Sequence, residues 1–171
     1  RQNIAEFHSM KTNEGLLERL LEFSSDAKLQ VRLCEKSILS LLIIPLIQCG
    51  GEEDTSVAVM YGLKSLYYIS TNKDAHSRIF KAHSLSCLIK LLKEAETNEM
   101  EKFCIATLSE ISKSQEVENI ILGRTKSIHK LNAREFFDII EFIALEKLDR
   151  CNTETQYHIL DAFINLTRVK S

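Results

Sequence analysis

His76, His83 and Cys87 lie close together in the sequence, the last two one helical turn apart, and are the residues best suited to hold a metal. A zinc site needs three or four convergent ligands, and no fourth stands at a recognisable spacing, so the sequence predicts no metal here. Cys34, Cys49, Cys87, Cys104 and Cys151 are odd in number, irregularly spaced and lack a Cys-x-x-Cys pair. That pattern predicts reduced thiols filling apolar space, not a disulfide framework. For nucleophilic catalysis there is no Gly-x-Ser-x-Gly elbow, and His158 and Asp161 are simply helix neighbours three apart. Gly50-Gly51 is followed by Glu52, Glu53 and Asp54, which would repel the phosphate that a glycine-rich loop cradles; a turn is the expectation. With no catalytic constellation, the sequence predicts neither an enzyme nor a cofactor.

Charge narrows the partners further. Twenty-two basic against 24 acidic side chains give a formal net charge of -2, so no global field draws the chain to nucleic acid or anionic lipid. The small basic patch Arg124, Lys126, His129 and Lys130 has no interleaved aromatics and is weak support for a nucleic-acid partner. Glu94, Glu96, Glu99 and Glu101 read as solvated helix ends that could also receive a basic peptide. Asn165-Leu166-Thr167 matches a glycosylation acceptor by its letters, but it falls in a predicted helix. The chain opens at Arg1 with nothing resembling a signal peptide, which reads as a piece of a longer intracellular protein, cytoplasmic or nuclear. The most apolar run, Ile38 to Ile47, contains Pro45 and is far shorter than the roughly 18 to 20 residues of a bilayer span; it is expected in the core.

Helices must position whatever site exists. One proline and five glycines leave few turns for a sheet protein, and apolar residues recur with the helical period. Leu16, Leu17, Leu20, Leu21 and Phe23 are expected on one face, as are Leu88, Leu91 and Leu92, and Phe136, Ile139, Ile140 and Ile143. Breaks fall at Ser24-Ser25-Asp26, Cys49-Gly50-Gly51, Thr71-Asn72, Thr97-Asn98, Gly123 and Cys151-Asn152-Thr153. Asn98 with Glu101, Asn132 with Glu135, and Thr153 with Gln156 have the spacing of capping boxes, and Gly123 that of a C-terminal cap.

The chain also resembles itself. Leu63 to Ser70, Ile105 to Ser112 and Leu160 to Thr167 share apolar residues every third position and a closing hydroxyl residue. The first two copies are separated by a spacing inside the roughly 40 to 47 residue period of helical repeats, and the third by that period plus an insertion around Arg124 to Leu131.

On these residues the chain resembles the armadillo family, with HEAT-like packing as the alternative. Ser77 to Ala82, Leu85 and Leu88 to Leu92 look like the first two helices of a repeat, and Asn98 to Ser112 like its third. His83 stands where many armadillo repeats carry glycine. The resemblance implies an all-α, right-handed α-solenoid of about three to four repeats over 1–171, with units near 1–42, 43–70, 72–113 and 114–171. It further implies a non-catalytic scaffold that binds a protein or peptide in a concave groove lined by third helices. Groove positions would be Tyr61, Lys64 and Tyr68, then Lys102, Ala106 and Glu110, then His158, Asp161 and Asn165. Asn165, Glu110 and Tyr68 take the place of the asparagine that bonds a peptide backbone in such families. Lys64, Ala106 and Asp161 take the tryptophan's place, and the chain has no Trp, so a groove of the nuclear-import type is not expected. Leu66, Leu108 and Phe163, two residues before Tyr68, Glu110 and Asn165 on the same helices, should face inward. A self-associating domain using lateral or end surfaces is the alternative function.

Overall fold

The structure, a computed structural model, describes residues 13–35, 38–49, 56–81, 84–94, 97–121, 141–143, 145–146, 148–150 and 152–168. Helices α1 (Glu14–Ser25) and α2 (Ala27–Glu35) come first, followed by a π turn (Leu39–Ile43) running into α3 (Ile44–Gln48). Next are α4 (Ser56–Ser70), a 3-10 turn (Lys73–Ala75), α5 (His76–Lys81) and α6 (Ser84–Lys93). Then come α7 (Asn98–Ser112), α8 (Gln115–Ile121) and α9 (Thr153–Thr167). No strand occurs among the described residues. The chain is therefore all-α, as periodicity predicts.

Local chemistry sets the helix ends. Asn13 caps α1 through its side-chain oxygen, Thr97 caps α7, and Asn152 caps α9, each accepting an early backbone N–H. For the last two the caps lie one residue before the expected Asn98 and Thr153. Backbone geometry decides: Thr97 (φ -129, ψ 148) and Asn152 (φ -67, ψ 164) are extended, and the residues after them are already helical. The pairs Asn132/Glu135 and Gly123 lie outside the described residues. Pro45 explains the π turn. It has no N–H, so the ladder widens just before it and the Ile44 N–H reaches back five residues to the Leu39 carbonyl.

Packing runs in a row. Helix α1 lies against α4, α4 against α7, and α7 against α9, with α3 and α6 backing α4 and α7. The core between these layers takes Leu39, Ile43, Leu46, Ile47, Leu63, Leu66, Ile69, Leu88, Leu92, Leu108 and Ile111. Leu66 and Leu108 thus face inward as expected, whereas Phe163 is only half-buried; Ile159 and Ala162 make that contact on α9 instead. On α1 only Leu17 and Leu20 of the predicted stripe are buried, and Leu16 and Phe23 remain exposed, because their angular positions fall outside the seam against α4.

Buried polar groups close the helix ends. Gln30 Nε2 donates to the Ser24 carbonyl at the end of α1 (3.1 Å) and to the Tyr68 carbonyl near the end of α4 (2.9 Å). His76 Nε2 lies 2.7 Å from the Ser70 carbonyl, an acceptor, so this nitrogen carries the proton. Its position makes it a cap for the last turn of α4.

Candidate interaction face

One side of α4, α7 and α9 brings together eight of the nine residues expected in a groove. At its α4 edge, Lys64 bonds Glu99 of α7 (2.8 Å), and its ammonium lies 5.5 Å from the centre of the Phe103 ring. Lys102 approaches the same ring (5.8 Å) and bonds Glu154 of α9 at 2.7 Å. Phe103 meets Tyr67 edge-on, with centroids 5.7 Å apart, and Tyr67 in turn lies 5.5 Å from the Tyr68 ring. An aromatic floor flanked by two ammonium groups results. Such cation–π contacts contribute about 0.5–1 kcal/mol where water has access. Tyr68 stands at the rim, 37% exposed, and Tyr61 is half-buried beside the core.

Further along the helices the face is ionic. Lys113, just past the end of α7, bonds Glu110 (2.8 Å) and Asp161 of α9 (3.0 Å). Ser109 Oγ donates to Asp161 Oδ2 (3.0 Å), and Asn165 Nδ2 donates to Ser112 Oγ (3.3 Å). Burial on its own would lift the Asp161 pKa; the hydrogen bonds from Lys113 and Ser109 outweigh it and hold the carboxyl below its ordinary value. Burial would likewise lower Lys113, and its two carboxylate partners raise it instead. His158 is shifted down, chiefly by burial, against the attraction of Glu154 and Glu110. Tyr67 is shifted up by burial and then by the Glu110 carboxylate. Alternating Lys and carboxylate groups thus tie α4 to α7 and α7 to α9.

Ala106 does not belong to this surface. It is 2% exposed, at a point on α7 between Lys102 and Ser109, whose bonds to Glu154 and Asp161 draw α9 against α7. Conversely, Tyr67, Phe103, Lys113 and Glu154 belong to the face although sequence reading did not single them out, and the buried Ser109 hydroxyl supports it from beneath by holding Asp161. Phe103 and Tyr67 were within reach as immediate neighbours of Lys102 and Tyr68. Lys113 was not, since its role depends on a carboxylate far along the chain.

A cleft of about 400 Å³ opens beside Asn165, lined also by Lys73, Ser112, Lys113, Ser114, Glu118 and Arg168. It sits at the C-terminal ends of α7 and α9, where cations balance the helix dipoles. Among the described residues no group of three or more His, Cys, Asp or Glu side chains is arranged to hold a metal. Cys34, Cys49, Cys87 and Cys104 are buried thiols; burial pushes Cys87 up to about 11 and Cys104 higher still. No described helix is long and apolar enough to cross a membrane. The basic patch at 124–130, Gly50-Gly51, His83 and Cys151 lie outside the described residues.

No family model matches this chain, and no curated protein matches it. Among solved structures it resembles an engineered protein whose crystal structure was determined by the Northeast Structural Genomics Consortium, with a TM-score of 0.67 at 18% identity. The match covers 94% of this chain and 61% of that one. At this identity the likeness shows the fold alone: the chain is an all-α protein of packed helices.

Proposed function

We propose that this chain is a non-catalytic interaction scaffold of intracellular proteins, an armadillo-like α-solenoid that holds a peptide or protein segment along the face of α4, α7 and α9. The observation that carries the reading is the aromatic floor of Tyr67, Tyr68 and Phe103 between Lys64 and Lys102, continuous with the polar strip of Glu110, His158, Asp161 and Asn165. Three successive row helices contribute one side each to that surface. Aromatic rings offer large, rigid contact area to a side chain, and the adjacent amide and carboxylates offer partners for a peptide backbone. The row packing of α1, α4, α7 and α9, each lying against the next and backed by α3 and α6, supports the repeat reading.

The test is to select binders from a displayed peptide library on the intact chain. Binding is then compared with that of a Tyr68→Ala, Glu110→Ala, Asn165→Ala triple variant. On this reading affinity falls at least tenfold, while loss of the Glu110–Lys113 and Asn165–Ser112 bonds, about 0.5–1 kcal/mol each, lowers the melting temperature by only a few degrees. Binders that the triple variant retains at full affinity would place recognition on another surface.

A further inference from the structure

Helix α9 carries apolar side chains on the side turned away from the protein. The helix packs on α7, and its buried side chains are Thr155, Ile159 and Ala162. On the opposite side, about 180° around a helix of 3.6 residues per turn, stand Tyr157, Leu160 and Ile164, which are 74%, 51% and 47% exposed. A helix at a protein's surface ordinarily turns polar residues outward. This one does so only along the strip of Glu154, His158, Asp161 and Asn165.

The internal register of the row says what that outer side is for. Matching the repeated segments sets Tyr157, Leu160 and Ile164 of α9 in the places of Lys102, Ile105 and Ser109 of α7. Those three α7 positions are the ones α9 covers: Lys102 bonds Glu154, Ser109 bonds Asp161, and Ile105 is 2% exposed. One helix earlier, Leu63 and Tyr67 of α4 hold the same places. Leu63 is fully buried and Tyr67 packs on Phe103 of α7. Glu99 and Glu154 occupy equivalent positions too, and each accepts a lysine from the preceding row helix. The lysines themselves stand one turn apart in the register, but the acidic acceptors and the buried places of Leu63 and Ile105 agree across both seams, and by them the outer side of α9 is shaped to receive one more helix.

We propose that the helix received is α9 of a second copy of this chain, packed antiparallel about a two-fold axis near Leu160. Spacing of three and then four residues between Tyr157, Leu160 and Ile164 is that of a helix-pairing seam. Charge selects the orientation. Glu154 lies one turn before the stripe, with its side chain 62% exposed even while it holds Lys102, and the exposed Arg168 lies one turn after it. Antiparallel pairing sets each Arg168 beside the other copy's Glu154, whereas parallel pairing would set arginine against arginine. The stripe is self-complementary, as a two-fold interface requires. A single-helix seam buries well under the roughly 1,200–2,000 Å² of standard interfaces, so the dimer should be weak, with Kd on the order of tens of micromolar.

Sedimentation equilibrium of the whole chain from about 5 to 500 μM tests this, a range that brackets that Kd. Wild type should pass from monomer to dimer. Leu160→Glu should weaken the dimer at least tenfold while circular dichroism and melting stay as in wild type, and Tyr157→Lys should do the same by a second route. Arg168→Glu should weaken it, because antiparallel pairing then sets carboxylate against carboxylate; strengthening would mean a parallel pair and overturn the orientation. A chain monomeric throughout the range, or a dimer indifferent to Leu160→Glu and Tyr157→Lys, would overturn the proposal. Peptide binding on the other face is read separately, so either result stands without the other.

Discussion

Gly62 sits where α4 passes closest to α3, and adding a single methyl there pits two effects of known sign against each other. A Cβ at Gly62 would lie 3.0 Å from Ile47 Cγ1, 3.1 Å from Leu46 Cβ and 3.4 Å from the Ile43 carbonyl oxygen. Ile47 is 1% exposed and Leu46 fully buried, so neither can swing aside; α3 or α4 must move by a few tenths of an ångström. Overpacking of this kind costs about 1–3 kcal/mol. Replacing glycine by alanine inside a helix returns about 1 kcal/mol. The balance for Gly62→Ala is a net loss of about 1 kcal/mol, or about 2–4 °C in melting temperature for a chain of this size. Gly15→Ala supplies the control. In the first turn of α1 its Cβ would meet only Asn13 Oδ1 at 3.5 Å, an ordinary contact, so the same change should be neutral or stabilising by up to about 1 kcal/mol. Thermal melts and urea titrations of the two variants beside wild type measure the difference. A Gly62→Ala protein at least as stable as wild type would refute the close approach of α3 and α4, and with it the placement of Tyr61, Lys64 and Tyr68 on a rigid α4.

Gln30→Ala removes the amide that ties the ends of α1 and α4 together: the Ser24 carbonyl loses its donor, while the Tyr68 carbonyl keeps the Thr71 hydroxyl at 2.7 Å. A loss of about 1–3 kcal/mol in urea unfolding is expected, and a change under 0.5 kcal/mol would mean that water replaces the amide without cost. For His158 the folded pKa lies below its ordinary value, so the unfolded chain binds a proton first as pH falls. The His158 contribution to stability is therefore constant above about pH 7 and declines as pH drops through the unfolded value near 6.5. Melting temperatures of wild type and His158→Gln from pH 8 to pH 5 should converge or cross on the acid side, with wild type the more pH-sensitive; parallel curves would contradict the burial of this ring.

The fold was legible because helical periodicity is local. The triplet spacing in Leu63–Leu66–Ile69 and Ile105–Leu108–Ile111 is visible in the letters, and the structure buries all six side chains. Caps were legible only to within a residue. Thr97-Asn98 and Asn152-Thr153 each offer two competent capping side chains in succession, and only backbone geometry chooses between them. The π turn was not legible as a turn type, although its cause, Pro45, was in plain view.

The candidate face was harder to read because its partners are far apart in sequence. Lys102 and Glu154, and Ser109 and Asp161, are each separated by 52 residues, so no window on the chain reveals them. Treating the groove as a list of repeat positions made Ala106 look like Lys64 and Asp161. Ala106 is instead buried where the Lys102–Glu154 and Ser109–Asp161 bonds, before and after it on the helix, draw α9 against α7. The same long-range seam gives the outer side of α9 its meaning: an apolar stripe at Tyr157 and Leu160 says little as a sequence pattern. It becomes an argument once Ile105 and Leu63, at the matching places on α7 and α4, are both found beneath the next helix in the row.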